Sequence, residues 1–136
     1  MPTDPTTVKT NPLMRDRIAM ALMLAASLAA LYAFITAIGG AAGAGLQTQQ
    51  VEWWRVLGIL MFTGLFVLLA FGPRRYPGLW ELVILDKAAL TVVELVLIGN
   101  QAANAASSAI ADGILTFILL AAYVLSRGWT SWKRPL

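Results

Sequence analysis

Four long apolar runs, parted by short polar or glycine-rich breaks, set the pattern of this chain. They cover about residues 18–38, 51–71, 79–98 and 106–125. Each approaches the ~20 residues that a helix rising ~1.5 Å per residue needs to cross a ~30 Å hydrocarbon layer. The pattern predicts an all-α, four-span transmembrane helical bundle over residues 14–128. A flexible tail is expected over 1–13, and a basic, aromatic C-terminal tail over 129–136. Asn11-Pro12 suits a helix start, with Asn as cap and Pro in the first turn. The glycine-rich stretch Gly39 to Gln50 is expected to break the first helix as a loop. Phe71-Gly72-Pro73 ends the second run, and the basic turn Arg74 to Gly78 should make the second and third spans antiparallel neighbours. The first run is not read as a signal peptide, because it is long and lacks an Ala-x-Ala cleavage site before the next span.

Composition sharpens this picture. Of 136 residues, 59% are apolar and only 12% charged, against about 25% charged in an ordinary soluble domain. Mean hydropathy is +0.73. One bundle uses the whole length, leaving no second domain. There is no Cys and no His. Disulfides, thiolate catalysis, Cys-ligated zinc, iron–sulfur clusters and the usual haem ligand are thereby excluded, and no metal or other cofactor is expected. The sequence pI near 9.7 does not point to nucleic acid, because the positive charge sits at segment ends. Lys9, Arg15, Arg17, Arg74, Arg75, Arg127, Lys133 and Arg134 would fall on one side of the membrane and only Arg55 on the other. By the positive-inside rule both termini are expected in the cytoplasm.

The third run, Leu79 to Ile98, breaks the apolar pattern with Glu81, Asp86, Lys87 and Glu94. An ionisable group near the bilayer centre costs roughly 2.5 to more than 10 kcal/mol, so such groups turn toward protein or trapped water. Lys87, Thr91 and Glu94 are spaced by four and three, which puts them on one helix face. Asp86 lies about a quarter-turn away, and Glu81 near the surface. The fourth run carries a single charge, Asp112, offset from Lys87 by roughly 7 Å along the axis. Lys87 is expected to pair with Asp112, Asp86 or both. One ammonium cannot neutralise Asp86, Glu94 and Asp112 together, so at least one acid should hold a proton at neutral pH. Candidate ligand-binding residues are Lys87, Asp86, Thr91, Glu94 and Asp112; Glu94 and Asp112 are also candidate catalytic acids. The plainer alternative is an ion pair that only fixes helix order and register. In the walls of this site, Ala25, Ala26, Ala29 and Ala30 offer a smooth packing face, and Gly58 and Gly64 should permit close helix contact.

These features fit a small integral membrane protein that binds a hydrophobic small molecule or lipid, such as a quinone or isoprenoid, as an accessory or binding subunit. A membrane-embedded acid-catalysed isomerase or cyclase of an apolar substrate is the alternative. A proton-coupled small carrier, which at this size would need to dimerise, is a third. The expected partners are the lipid bilayer, a hydrophobic ligand, and a second copy or larger membrane complex.

Arg74, Arg75, Tyr76 and Pro77 before the third run, Lys87 within it, Asp112 in the fourth, and the aromatic stretch Phe117 to Tyr123 resemble the small DoxX-like four-helix membrane proteins. The resemblance runs over roughly Arg74 to Leu125. It implies a bundle in the bacterial inner membrane, associated in some members with quinone-linked oxidoreductases. It implies no catalytic residue.

Overall fold

A computed structural model describes residues 11–99 and 105–133. Residues 1–10 of the expected 1–13 tail, linker residues 100–104, and residues 134–136, with Lys9 and Arg134, lie outside the described residues, while Pro12 and Leu13 of that tail already belong to a helix. The chain forms α1 (Pro12–Ala42), α2 (Gln49–Phe71), α3 (Leu79–Gly99) and α4 (Ala105–Ser126), then a short 3-10 helix (Gly128–Lys133). No strand occurs among the described residues.

α1 starts where a cap permits. Asn11 Oδ1 accepts from the Leu13 N–H at 3.1 Å, and Pro12 occupies the first turn, where its missing N–H is not needed. The glycines at 39 and 40 do not end the helix, contrary to expectation. It runs on to Ala42, and Gly43 closes it with its N–H on the Gly39 carbonyl. A glycine costs a helix interior only about 1 kcal/mol relative to alanine. Here Ala37 and Ala41 pack with Val56 and hold the last turns in place.

The buried face of α1 is nearly all small: Ala19, Met23, Ala26, Ser27 and Ala30. Small side chains let backbones approach closely, and both α2 and α4 pack against this helix. Ser27 Oγ donates to the Thr63 carbonyl of α2 at 3.1 Å. Gly58 and Gly64 do not serve close packing as expected, because a Cβ built on either meets nothing within 4 Å. α3 packs on α4, not on α2. The expected neighbours α2 and α3 are joined by a short turn yet meet through side chains, with the bulk of Phe62 reaching Lys87. Around the bundle the order is α2, α1, α4, α3.

α1, α2 and α4 are long and apolar enough to cross a membrane. α3 has similar length, 21 residues, but is interrupted by its charges. Large apolar side chains stand exposed around the bundle, among them Leu28, Tyr32, Met61, Leu85 and Phe117. A soluble monomer rarely shows so much contiguous apolar surface. The molecule is an integral membrane protein.

At one end, the start of α1, the 72–78 turn and the end of α4 are tied together. Arg74 Nη1 and Nη2 donate to Asp16 Oδ1 and Oδ2, both at 2.9 Å, and Nη1 also donates to the Ser126 carbonyl at 2.8 Å. The Arg74 hydrogen bonds hold the Asp16 carboxyl below its ordinary range, and Asp16 in turn raises Arg74. The 3-10 helix is built into this end. Gly78 takes φ +83°, a left-handed turn position, and lies against the Trp132 ring. A Cβ on Gly128 would stand 2.6 Å from both Trp80 Cδ1 and Tyr123 Cδ2.

Candidate functional site

The buried stripe of α3 is Trp80, Val83 and Lys87. Its i, i+3, i+7 spacing is that of one helix face. Thr91 and Glu94, half-buried, continue the same line toward the far end. The charge on Lys87, costly to leave in lipid, turns this face inward with Trp80, while the apolar Leu82 and Leu85 face out.

Lys87 is only 8% exposed. Its Nζ lies 3.2 Å from Asp112 Oδ1 and 3.7 Å from Asp86 Oδ2. The same ammonium sits 4.1 Å from the centroid of the Phe62 ring, inside the range of a cation–π contact. Both expected pairings are thus made, the Asp112 contact being the shorter. All three directions around the ammonium are taken, by two carboxylates and one aromatic face.

The acids are less well served. Glu94 stands beside Asp112, within hydrogen-bonding reach of its carboxyl. Glu94 Oε2 is buried and has no hydrogen-bond partner, and Asp86 Oδ2 has the 3.7 Å ion-pair contact but no hydrogen bond. The hydroxyls nearby do not help. Thr91 Oγ1 donates to the Lys87 carbonyl at 2.8 Å, and Thr116 Oγ1 to the Asp112 carbonyl at 2.7 Å. Thr91 therefore lies on the expected face with its proton already committed. The site gathers three carboxyl groups around one cation, and its lysine and threonine donors are already committed.

Sequence reasoning missed a second cluster, at the opposite end of α3. Glu81 Oε1 accepts from the Tyr123 hydroxyl at 2.9 Å and from Trp132 Nε1 at 3.1 Å, while its Oε2 is buried without a partner. Trp80 Nε1 donates to the Pro73 carbonyl at 2.7 Å. The rings of Trp80, Tyr123 and Trp129 stack in tilted and edge-on contacts around it. Glu81 and Trp132 are far apart in sequence, so no local spacing could have signalled this. A hint lay in the density of Trp after the fourth run, which reads equally well as a membrane anchor.

Fold and site together define an all-helical integral membrane protein with an acid-rich polar cluster between α3 and α4. No family model matches the chain, and neither a curated protein nor a solved structure does.

Proposed function

We propose that the chain is a four-span protein of the bacterial inner membrane, with both termini in the cytoplasm, that binds an amphiphilic small molecule by its headgroup at Glu94 and Asp112. A 21-residue α3 is long enough to span a ~30 Å core, and burial of Lys87 against two carboxylates is how a spanning helix would tolerate its charges. Arg15, Arg17, Arg74, Arg75, Arg127 and Lys133 belong to the helix ends and turn that meet at one end of the bundle, and Arg55 belongs to the start of α2 at the other. That asymmetry supports the cytoplasmic assignment.

One observation carries the binding reading. Glu94 Oε2 is buried without a partner beside an acid that already holds the site's lysine. A buried carboxyl oxygen left bare costs on the order of 1–3 kcal/mol, which a ligand donating a proton or positive charge would offset. The fitting ligand is a long apolar molecule with a hydroxyl or amine head, such as a quinol or an isoprenoid alcohol. It would enter sideways between α2 and α3, whose backbones do not pack closely. The role is that of a binding or accessory subunit, in keeping with the resemblance of Arg74 to Leu125 to DoxX-like proteins. Two adjacent carboxyls are also what an acid catalyst needs, so an isomerase or cyclase of an apolar substrate is the second reading.

Native mass spectrometry of molecules co-purifying with the wild type, Glu94→Gln, Lys87→Met, Asp112→Asn and the Lys87→Met/Asp112→Asn double variant tests this, alongside thermal stability in detergent. Loss of a specific bound molecule in Glu94→Gln with stability retained is the expected result. Breaking one partner of a buried ion pair costs about 3–5 kcal/mol, and removing both is often near neutral. If both single variants of the pair are destabilised, the double variant recovers, and bound molecules are the same in every variant, the cluster is a structural clasp and the proposal fails. Turnover of the bound molecule to an isomer, lost in Glu94→Gln, would favour the catalyst.

A further inference from the structure

Where α1 begins and α4 ends, a cleft of about 350 Å³ opens among Pro12, Arg15, Asp16, Arg74, Leu125 and Arg127. Three guanidiniums face one carboxylate, so the lining is strongly cationic. The three are committed to different degrees. Arg74 spends its donors on both Asp16 oxygens and on the Ser126 carbonyl. Arg15 makes one long contact, 3.4 Å to the Val124 carbonyl. Arg127 makes no hydrogen bond or ion pair with its side chain among the described residues.

The base of Arg127 is nevertheless held firmly. Its carbonyl accepts from the Thr130 N–H at 2.9 Å and from Thr130 Oγ1 at 2.8 Å. Its φ of 54° places it in the left-handed position just past the helix, where glycine is the usual choice. An arginine there projects, from a fixed backbone, a guanidinium that attracts Asp16 across the cleft without hydrogen bonding to it. Leu125 and Pro12 supply the apolar part of the lining. The cleft sits at the level of Arg15, just before the apolar stretch of α1 begins at Ile18, which is headgroup depth for a membrane-spanning chain.

We propose that this cleft binds a phosphate group, supplied by the headgroup of an anionic phospholipid, with Arg127 and Arg15 as donors and the Arg74–Asp16 pair as a fixed wall. The arginine fork matches phosphate oxygens in pairs and loses less hydration than an ammonium would. Basic pockets between helices at the cytoplasmic face are suited to anionic headgroups. Asp16 does not oppose the ligand strongly, since Arg74 covers both its oxygens. The lipid's chains would leave the cleft over Leu125 and run beside α4.

Delipidated full-length protein in detergent, titrated with phosphatidylglycerol, phosphatidylcholine or inorganic phosphate and followed by native mass spectrometry, tests the site. The expected result is preference for phosphatidylglycerol. Binding should weaken by at least roughly fivefold in Arg127→Gln and in Arg15→Gln, and stay unchanged in Arg55→Gln at the other end. Thermal stability without lipid should be the same in all four proteins, which separates binding from folding. If inorganic phosphate alone raises the melting midpoint and displaces the lipid, the phosphate chemistry stands and the lipid source is overturned. Equal binding of both lipids with no response to phosphate, or unchanged binding in both cleft variants, overturns the site.

Discussion

Lys87 is buried among three partners, at a position that the cost of a charge in lipid turned toward the protein. Its partners come from three places: Asp86 beside it, Asp112 on α4 and the Phe62 ring on α2. The glycine at 128 shows the opposite kind of constraint. A methyl group there would overlap Trp80 and Tyr123, with contacts of 2.6 Å to ring atoms that are themselves packed. Overpacking of this kind costs about 1–3 kcal/mol, so Gly128→Ala should lower the thermal midpoint in detergent clearly. It should also loosen the Trp132 contact to Glu81, and tryptophan emission would shift as the rings become more hydrated. A variant as stable as the wild type would mean the 3-10 helix is free to move away.

At the scale of elements, α3 differs from its neighbours. Only its first half is well buried, through Trp80, Val83 and Lys87, and beyond Lys87 none of its side chains is fully buried. The half carrying Glu94 is thus the thinly packed part of the bundle, which is where a ligand could be accommodated without displacing core side chains. α2 offers a contrast. Its two interior glycines look like contact points in sequence, but each faces open space. Replacing Gly64 by alanine should leave the fold intact and stabilise it by about 1 kcal/mol or less, through helix propensity and reduced freedom of the unfolded chain. Thermal melts of the purified variant check this. A clear loss of stability would show that a partner helix, from a second copy of the chain, packs there.

For the whole molecule, the decisive tie is the one between α1, the 72–78 turn and α4 made by Asp16, Arg74 and Ser126. It gathers three chain segments at one end, and it is outside the apolar stretch, where pH can act on it. The Asp16 carboxyl is depressed below its ordinary 3.8 by the Arg74 hydrogen bonds. A depressed folded-state value means the stabilisation is complete above that ordinary value and is lost as pH falls through the lower folded one. The difference in melting midpoint between wild type and Asp16→Asn should therefore be constant from neutral pH down to about pH 4 and shrink below it. A difference that ignores pH would show that the amide alone accounts for the change.

The apolar pattern determined that the chain is helical and where its helices lie to within a few residues; it predicted four spans, and three of the helices are long and apolar enough for a membrane. Those properties depend on the order of residues along one segment, which is why they can be read there. The cost of a charge in lipid turned Lys87 inward, and the axial offset between the third and fourth runs brought Asp112 to it. Tertiary structure alone decided the rest. α3 packs on α4 and not on α2, while the alanine face of α1 draws α2 and α4 close. Glu81 met Trp132, Arg74 met Asp16, and Gly128 met Trp80 only when segments far apart in sequence came together. Side-chain volume and hydrogen-bond reach across helices govern those meetings, and neither is written in the spacing of residues along one helix.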